Sequence, residues 1–289
     1  RDTVALARLL AAHIVPAIWV PPQHVRELRA LIAHRQRLMH QRTAAKNRLR
    51  AVLHRNRLSA PDGDLFNQRN RDWWANLDMP HSERLRINHN LDTVDHLSKQ
   101  MAEAERELAL LSQSDPWRDA ATRLIQLPGV GMLAAMTILS AVGEIERFAT
   151  PKKLVGYAGL GAKVHASGKT HFGGGITKQG RTELRLIMVE IAWTAVTYSD
   201  LWRARFERLA QRIGRKKAIV AIARKMLVVV WQVLTKKEAD QFANLKAVSR
   251  SFLTWATHHR LASSVGLGRA EFVQQALQRI PLSLPPPPT

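Results

Sequence analysis

The sequence predicts a mainly α-helical chain of about two domains. Apolar residues recur three and four apart along most of its 289 residues, and strand-like alternation bounded by turn signals is nearly absent. Its 46% apolar content is enough for ordinary cores, so disorder of the whole chain is excluded. The charge is lopsided: 44 Lys and Arg against 23 Asp and Glu give +21 and a pI near 11.3, which calls for an anionic partner. Zero cysteines rule out thiol catalysis, Cys-built zinc sites and a disulfide framework, so a reducing cytosol is the default compartment.

Residues 3–15 read as the first helix, closed by Pro16 and an extended stretch at 19–22, where prolines restrict the backbone. Arg8, His13 and Pro16 interrupt the apolar opening and no small-residue cleavage pattern follows, so neither a signal peptide nor a membrane span is expected.

From 25 to 58 a long helix sets Val25, Leu28, Ile32, Met39, Leu49 and Leu53 on one seam, with Arg35, Arg42 and Lys46 in its remaining positions. That stretch carries ten Lys or Arg against a single acid, Glu27. Such a helix repels itself unless something anionic lies beside it.

Residues 59–80 form a connector, with turn chemistry at Pro61, Asp62, Gly63 and Asp64 and aromatic anchors at Trp73 and Trp74. A second long helix spaces Val94, Leu97, Met101, Ala104, Leu108 and Leu111 as a short coiled-coil seam would. Two such helices joined by about twenty residues make an antiparallel hairpin. Packing on its own chain and homo-oligomer formation through this coiled coil both stay open.

Asp115 and Pro116 open the next unit. Its late run 226–234 is too short to cross a bilayer and is flanked by Arg224, Lys225, Lys236 and Lys237, so a buried helix is expected there, and no membrane partner. Prolines 285–288 make an extended or disordered tail. The organisation expected is therefore 1–22, a basic hairpin at 23–114, a third unit at 115–240, and an extension with tail at 241–289.

Residues 125–131, Ile-Gln-Leu-Pro-Gly-Val-Gly, followed by an apolar run, have the form of a helix-hairpin-helix. Gly129 and Gly131 permit a tight turn with free amides at the start of the next helix, where a phosphate can bind without its base being read. An ordinary inter-helix turn has the same spacing.

Between 151 and 225 there are sixteen Lys or Arg against four acids, a net +12, which makes this the main candidate for a nucleic-acid surface. Within it, 167–170 (Ser-Gly-Lys-Thr) imitates a phosphate loop, but the first glycine of that pattern would fall on Lys163. What remains is a polar loop with Ser167, Gly168 and Gly173–Gly175, flanked by Lys163, Lys169 and Lys178. A serine hydroxyl attacks phosphorus only when its proton is removed and the developing charge is neutralised, and Ser167 has the cations nearby in sequence. A serine in such a loop is equally a turn residue. Arg181 and Arg185, four apart at the start of the following helix, reach either solvent or phosphate. The twelve histidines give no cluster at metal-ligand spacing, and adjacent His258 and His259 would diverge on a helix.

Taken in order, Leu127-Pro-Gly-Val-Gly131, the string Phe-Ala-Thr-Pro-Lys-Lys-Leu-Val-Gly-Tyr-Ala-Gly at 148–159, Ser167-Gly168, and Gly-Ile-Thr-Lys-Gln-Gly-Arg-Thr-Glu-Leu-Arg at 175–185 resemble the C-terminal domain of a bacterial insertion-sequence transposase family. This is the IS one-ten / IS eleven-eleven family, which includes Piv-like DNA invertases. The resemblance implies a RuvC-like (RNase H-like) α/β domain with four acidic Mg²⁺ ligands, of which 1–22 would be a remnant, then the coiled-coil hairpin, then an α-helical transposase domain. Asp2 matches the final acid, and its partners would precede Arg1. The Mg²⁺ site is thus expected to be incomplete and the fragment inactive alone.

Ser167 is the carried-over nucleophile, and Thr177 stands where many relatives carry serine. The resemblance further implies a DNA substrate, a structured guide RNA and a bacterial, cytoplasmic, nucleoid-associated location. The rival expectation is a nucleic-acid-binding module without chemistry.

Overall fold

A computed structural model describes residues 2–12, 14, 18–167 and 170–280. Pro16 and the proline tail lie outside the described residues. The chain is mainly helical, as the periodicity predicts. The first helix, α1 (Asp2–Ala11), buries none of its side chains and leaves Val4, Leu6, Leu9 and Leu10 exposed.

The second helix, α2 (Gln23–Arg55), starts after Pro22. Its first turns bury Val25, Leu28 and Ile32 in the main core, and its far half buries Ala45, Leu49, Val52 and Leu53 in a separate core. After a 3₁₀ turn whose Asn67 side chain accepts from the Asn70 amide, α3 (Arg71–Ala75) inserts Trp74 into that second core. The indole is 1% exposed and donates to the Leu65 carbonyl at 3.0 Å. Burying about 200 Å² of it stabilises the connector by roughly 5 kcal/mol at ~25 cal/mol per Å².

The next helix, α4 (His81–Leu111), returns antiparallel to α2. Residue numbers run in opposite senses along the pair: Arg35 meets Glu105 at 2.7 Å, Arg48 meets Asn90 at 2.6 Å and Arg55 meets Glu83 at 3.4 Å. Leu38, Leu97 and Met101 close the middle of the seam, with Met39 only half-buried beside them. Acids on α4 thus supply part of the anionic neighbour that α2 demands.

The main core gathers α5 (Arg118–Ile125), α6 (Met132–Val142), α7 (Pro151–Tyr157), α8 (Thr182–Tyr198), α9 (Asp200–Ile213) and α10 (Arg215–Lys236). By length and composition α10 could cross a membrane. Here it is the helix on which α5, α7, α8 and α9 pack, and it buries nine residues from Ala218 to Leu234. The apolar run at 226–234 is therefore the second half of a longer helix.

Residues 162–176, expected as a polar loop, instead include the two-stranded antiparallel hairpin β1 (Ala162–Ser167) and β2 (Thr170–Ile176). Ser167 pairs with Thr170, and Gly168 and Lys169 between them lie outside the described residues. The glycines hide any apolar alternation, but ladder hydrogen bonds satisfy the backbone whatever the side chains are.

At the C-terminal end, α11 (Leu245–Thr257), α12 (Leu261–Ser264) and α13 (Arg269–Gln278) cover the end of α4. The buried Trp255 donates from Nε1 to Ser112 Oγ at 3.1 Å and meets Phe272 edge-on. Between α11 and α12 the helix breaks, because His259 (φ 50°) and Arg260 (φ 58°) are both left-handed, at a cost of about 1 kcal/mol or more each. The expectation that His258 and His259 diverge is corrected by this break: their ring centroids lie 4.4 Å apart, edge to face. Burial first, then His259, holds the His258 imidazole below its ordinary pKa against the opposing pull of Glu105.

Candidate nucleic-acid interface

The turn between α5 and α6 has the expected glycines, with different duties. Gly129 has φ +82°, and a Cβ there would lie 2.6 Å from the Ile191 carbonyl oxygen and 3.0 Å from the Ala195 nitrogen. Its lack of a side chain lets the turn rest directly on α8. Gly131 caps α6 in extended backbone, is exposed, and has open space where a Cβ would stand. Both line a groove of about 300 Å³ with Glu190, Thr194, Ser251 and His258, and no Lys or Arg is among its lining residues.

The cations gather at the base of the β-hairpin instead. Arg185 donates to the Ala158 carbonyl at 3.1 Å, the Lys178 carbonyl at 3.2 Å and the Thr182 hydroxyl at 3.2 Å. Backbone bonds from Thr177 to Gly161, Lys178 to Gly159 and Arg181 to Tyr157 knot the same junction. Gly180, at φ +129°, lets the chain pass where a Cβ would sit 2.2 Å from the Tyr157 oxygen. Lys178 and Lys163 are exposed at this base, since Lys163 follows Ala162, the partner of Ile176. Arg181 is half-buried and donates from Nε to the Tyr157 hydroxyl at 3.0 Å.

Of the expected site residues, Lys163, Lys178, Arg181 and Arg185 therefore come together. Gly129 and Gly131 do not join them, because Gly129 touches α8 about 10–15 Å beyond Arg185. Ser167 ends β1, about 17 Å along the strand from Ala162. Thr177 sits at the base. Lys169 lies outside the described residues. Asp2 is exposed on α1 and belongs to no group of three or more carboxylates and imidazoles among the described residues, so the residues present do not fit a Mg²⁺ site.

Two further arginines share the site. Arg29 donates to the Ser140 carbonyl at 2.7 Å and the Ala141 carbonyl at 3.1 Å, and Arg147 donates to the Val142 carbonyl at 3.0 Å. Both thus cap the negative end of the α6 dipole. The Arg147 guanidinium lies 4.1 Å from the Trp19 ring centroid, 4.3 Å from Phe148 and 4.4 Å from Tyr157. Its Nη2 is buried without a hydrogen-bond partner among the described residues.

A cavity of about 150 Å³ beside this cluster is lined by Arg29, Gln36, Ser140, Ala141, Arg181 and Glu183. Burial, followed by the charges of Arg181 and Arg147, lowers the Arg29 pKa. Burial alone would raise the Tyr157 phenol, but the hydrogen bond from Arg181 and the charges of Arg147 and Arg181 outweigh it and hold the phenol below its ordinary value. The sequence showed these arginines only as charge. Tyr157 stands in the 148–159 string, which was its one visible signal.

A broader basic face lies on α9 and α10. Arg208, Arg212, Lys216, Lys217, Arg224 and Lys225 are exposed and form no salt bridge among the described residues.

Fold and surface together define a helix-built chain with a concentrated cationic face. Sequence comparison adds the family. The model of the Transposase IS116/IS110/IS902 family matches residues 121–207, and a DEDD-type transposase model matches residues 1–56. A putative transposase of Sinorhizobium fredii, y4qE, is 30% identical over 264 residues, covering 89% of this chain and 63% of the relative. The transposase for insertion sequence element IS1111A of Coxiella burnetii is 27% identical over 222 residues, covering 73% of this chain and 59% of that protein. The pilin gene-inverting protein of Moraxella bovis is 28% identical over 150 residues, covering 50% of this chain and 46% of that protein. These matches support the IS110/IS116/IS902 transposase family for the chain, which spans about 60% of the length of the first two relatives.

Proposed function

We propose that the chain is the nucleic-acid-binding and nucleophile-bearing part of a DNA transposase or site-specific recombinase guided by a structured RNA. The observation that carries the reading is that residues 121–207, the stretch matching the transposase family, contain both the cationic hairpin base and Ser167. In this reading the Ser167 hydroxyl attacks a DNA phosphorus. A phosphoserine ester forms, the phosphodiester breaks, and the serine proton passes to the departing DNA oxygen. Lys163, Lys178 and the α9–α10 face hold the backbone phosphates, while Arg185 fixes the hairpin base from which Ser167 is presented. The basic α2–α4 hairpin binds RNA or pairs with a second copy, and the protein works in the cytoplasm at the nucleoid.

The test is covalent capture. The element's complete transposase, supplied with RNA, DNA and Mg²⁺, is expected to form a protein–DNA adduct that Ser167→Ala abolishes while DNA binding survives. Adduct loss in Thr177→Ala but not in Ser167→Ala assigns the hydroxyl to Thr177 and overturns the role of Ser167.

Asp2, in no group of three or more ligating residues among those described, favours a second reading for the 289-residue chain by itself, a binding module without chemistry. It predicts nucleic-acid binding with no strand cleavage under any divalent ion.

A further inference from the structure

We propose that Glu105, His258 and His259 form a binding site for a borderline divalent transition ion such as Zn²⁺, fixing the turn between α11 and α12 to the α2–α4 hairpin. One ligand atom from each of the three residues falls within 4.8 Å of the others. His259 Nε2 and Glu105 Oε2 are 3.4 Å apart. A tetrahedral ion with donors at about 2.1 Å sets its donors roughly 3.4 Å apart, so this pair already has the spacing of one tetrahedral edge.

The carboxylate is preset for the task. Arg35 binds its Oε1 twice, from Nε at 2.9 Å and from Nη2 at 2.7 Å, which leaves Oε2 to face His259. An outer partner that orients a ligand in this way is a common feature of metal centres. The backbone supplies a second, independent observation. Two consecutive non-glycine residues, His259 and Arg260, adopt left-handed conformations, and this break brings neighbouring imidazoles to one side.

A simple His259–Glu105 ion pair needs neither the second imidazole nor the break. Two imidazoles and one carboxylate suit Zn²⁺, Co²⁺ or Ni²⁺ better than Mg²⁺, which prefers oxygen ligands and retains its water. Three protein ligands leave a fourth position for water. His258 also lines the groove at the start of α6, which gives an ion its route from solvent.

The experiment uses the 289-residue chain. Zn²⁺ is titrated by calorimetry, and Co²⁺ by the visible absorption of a four-coordinate ion. One ion per chain is expected, together with a rise in Tm of about 5 °C or more at a hundredfold excess over Kd. His258→Ala and His259→Ala are each expected to weaken binding at least tenfold, whereas His34→Ala with His40→Ala leaves it unchanged. Glu105→Gln is expected to weaken it too, and the histidine variants decide the matter if loss of the Arg35 pair unfolds that protein. Absence of binding at micromolar Zn²⁺, or unchanged affinity in the His258/His259 double variant, overturns the proposal.

Discussion

Replacing Gly129 by alanine tests whether the turn between α5 and α6 is shaped by packing, and three glycines make the experiment internally controlled. Gly131 caps α6 with negative φ and open space, so Gly131→Ala is expected to cost only the modest cap preference of Gly over Ala, about 0.5–1 kcal/mol. Gly214 precedes α10 at φ +80° and ψ 153° with nothing within 4 Å of a Cβ, so Gly214→Ala isolates a conformational cost of about 1–3 kcal/mol. Gly129 combines φ +82° with a Cβ position 2.6 Å from the Ile191 oxygen on the α8 backbone, which cannot rotate away. Overpacking adds about 1–3 kcal/mol, for a total of about 2–5 kcal/mol. At roughly 2–4 °C per kcal/mol, Tm falls by about 4–20 °C. Thermal and urea melts followed by circular dichroism give the ranking 131, then 214, then 129. If Gly129→Ala melts within about 2 °C of Gly131→Ala, the packing explanation fails.

Replacing Arg208, Arg212, Lys216 and Lys217 together by alanine is expected to reduce the salt slope of duplex DNA binding by about 3–4, at ~0.9 per phosphate contact, in anisotropy titrations from about 50 to 200 mM salt. An unchanged slope removes this face from the interface. Of the two tyrosines, Tyr157 is expected to ionise below the ordinary phenol range in ultraviolet titration, and Tyr157→Phe abolishes that phase. A phenol whose folded pKa is depressed adds stability that is complete above its unfolded pKa and is lost as pH falls through the folded one. The stability difference between wild type and Tyr157→Phe should therefore grow with pH across that window, and a flat difference refutes the assignment. Trp255→Phe is expected to cost about 1–2 kcal/mol in denaturant melts by losing the Ser112 bond. Added Mg²⁺ is expected to give no strand cleavage by this chain alone, and a gel showing nicked DNA refutes the reading of Asp2 as part of an incomplete metal site.

The long helices were legible because period and burial agree: Leu28, Ile32, Leu49 and Leu53 on α2 face the interior, as their spacing requires. The return helix was legible for the same reason, at Val94, Leu97, Met101 and Leu108. The β-hairpin was not, because Gly173–Gly175 erase the alternation by which a strand is recognised. The arginine cluster was invisible for another reason. Arg29, Arg147 and Arg181 are far apart in sequence, and what unites them is Tyr157 with the carbonyls ending α6, a partner set that no local window contains. The proximity of His258 and His259 was not legible either, since left-handed His259 and Arg260 carry no glycine or asparagine to announce the break in the helix.

The continuity of α2 has a mechanical consequence. Its 33 residues form one rod about 50 Å long, with Arg29 seated on the end of α6 and its far half clasped in a separate core around Trp74. Such a rod is a lever. A rotation of about 5° at Arg29, where it crosses α6, sweeps the far end, about 39 Å away, by about 3 Å, enough to break a hydrogen bond there. Anything that grips the hairpin tip is thereby geared to the arginine cluster beside Tyr157.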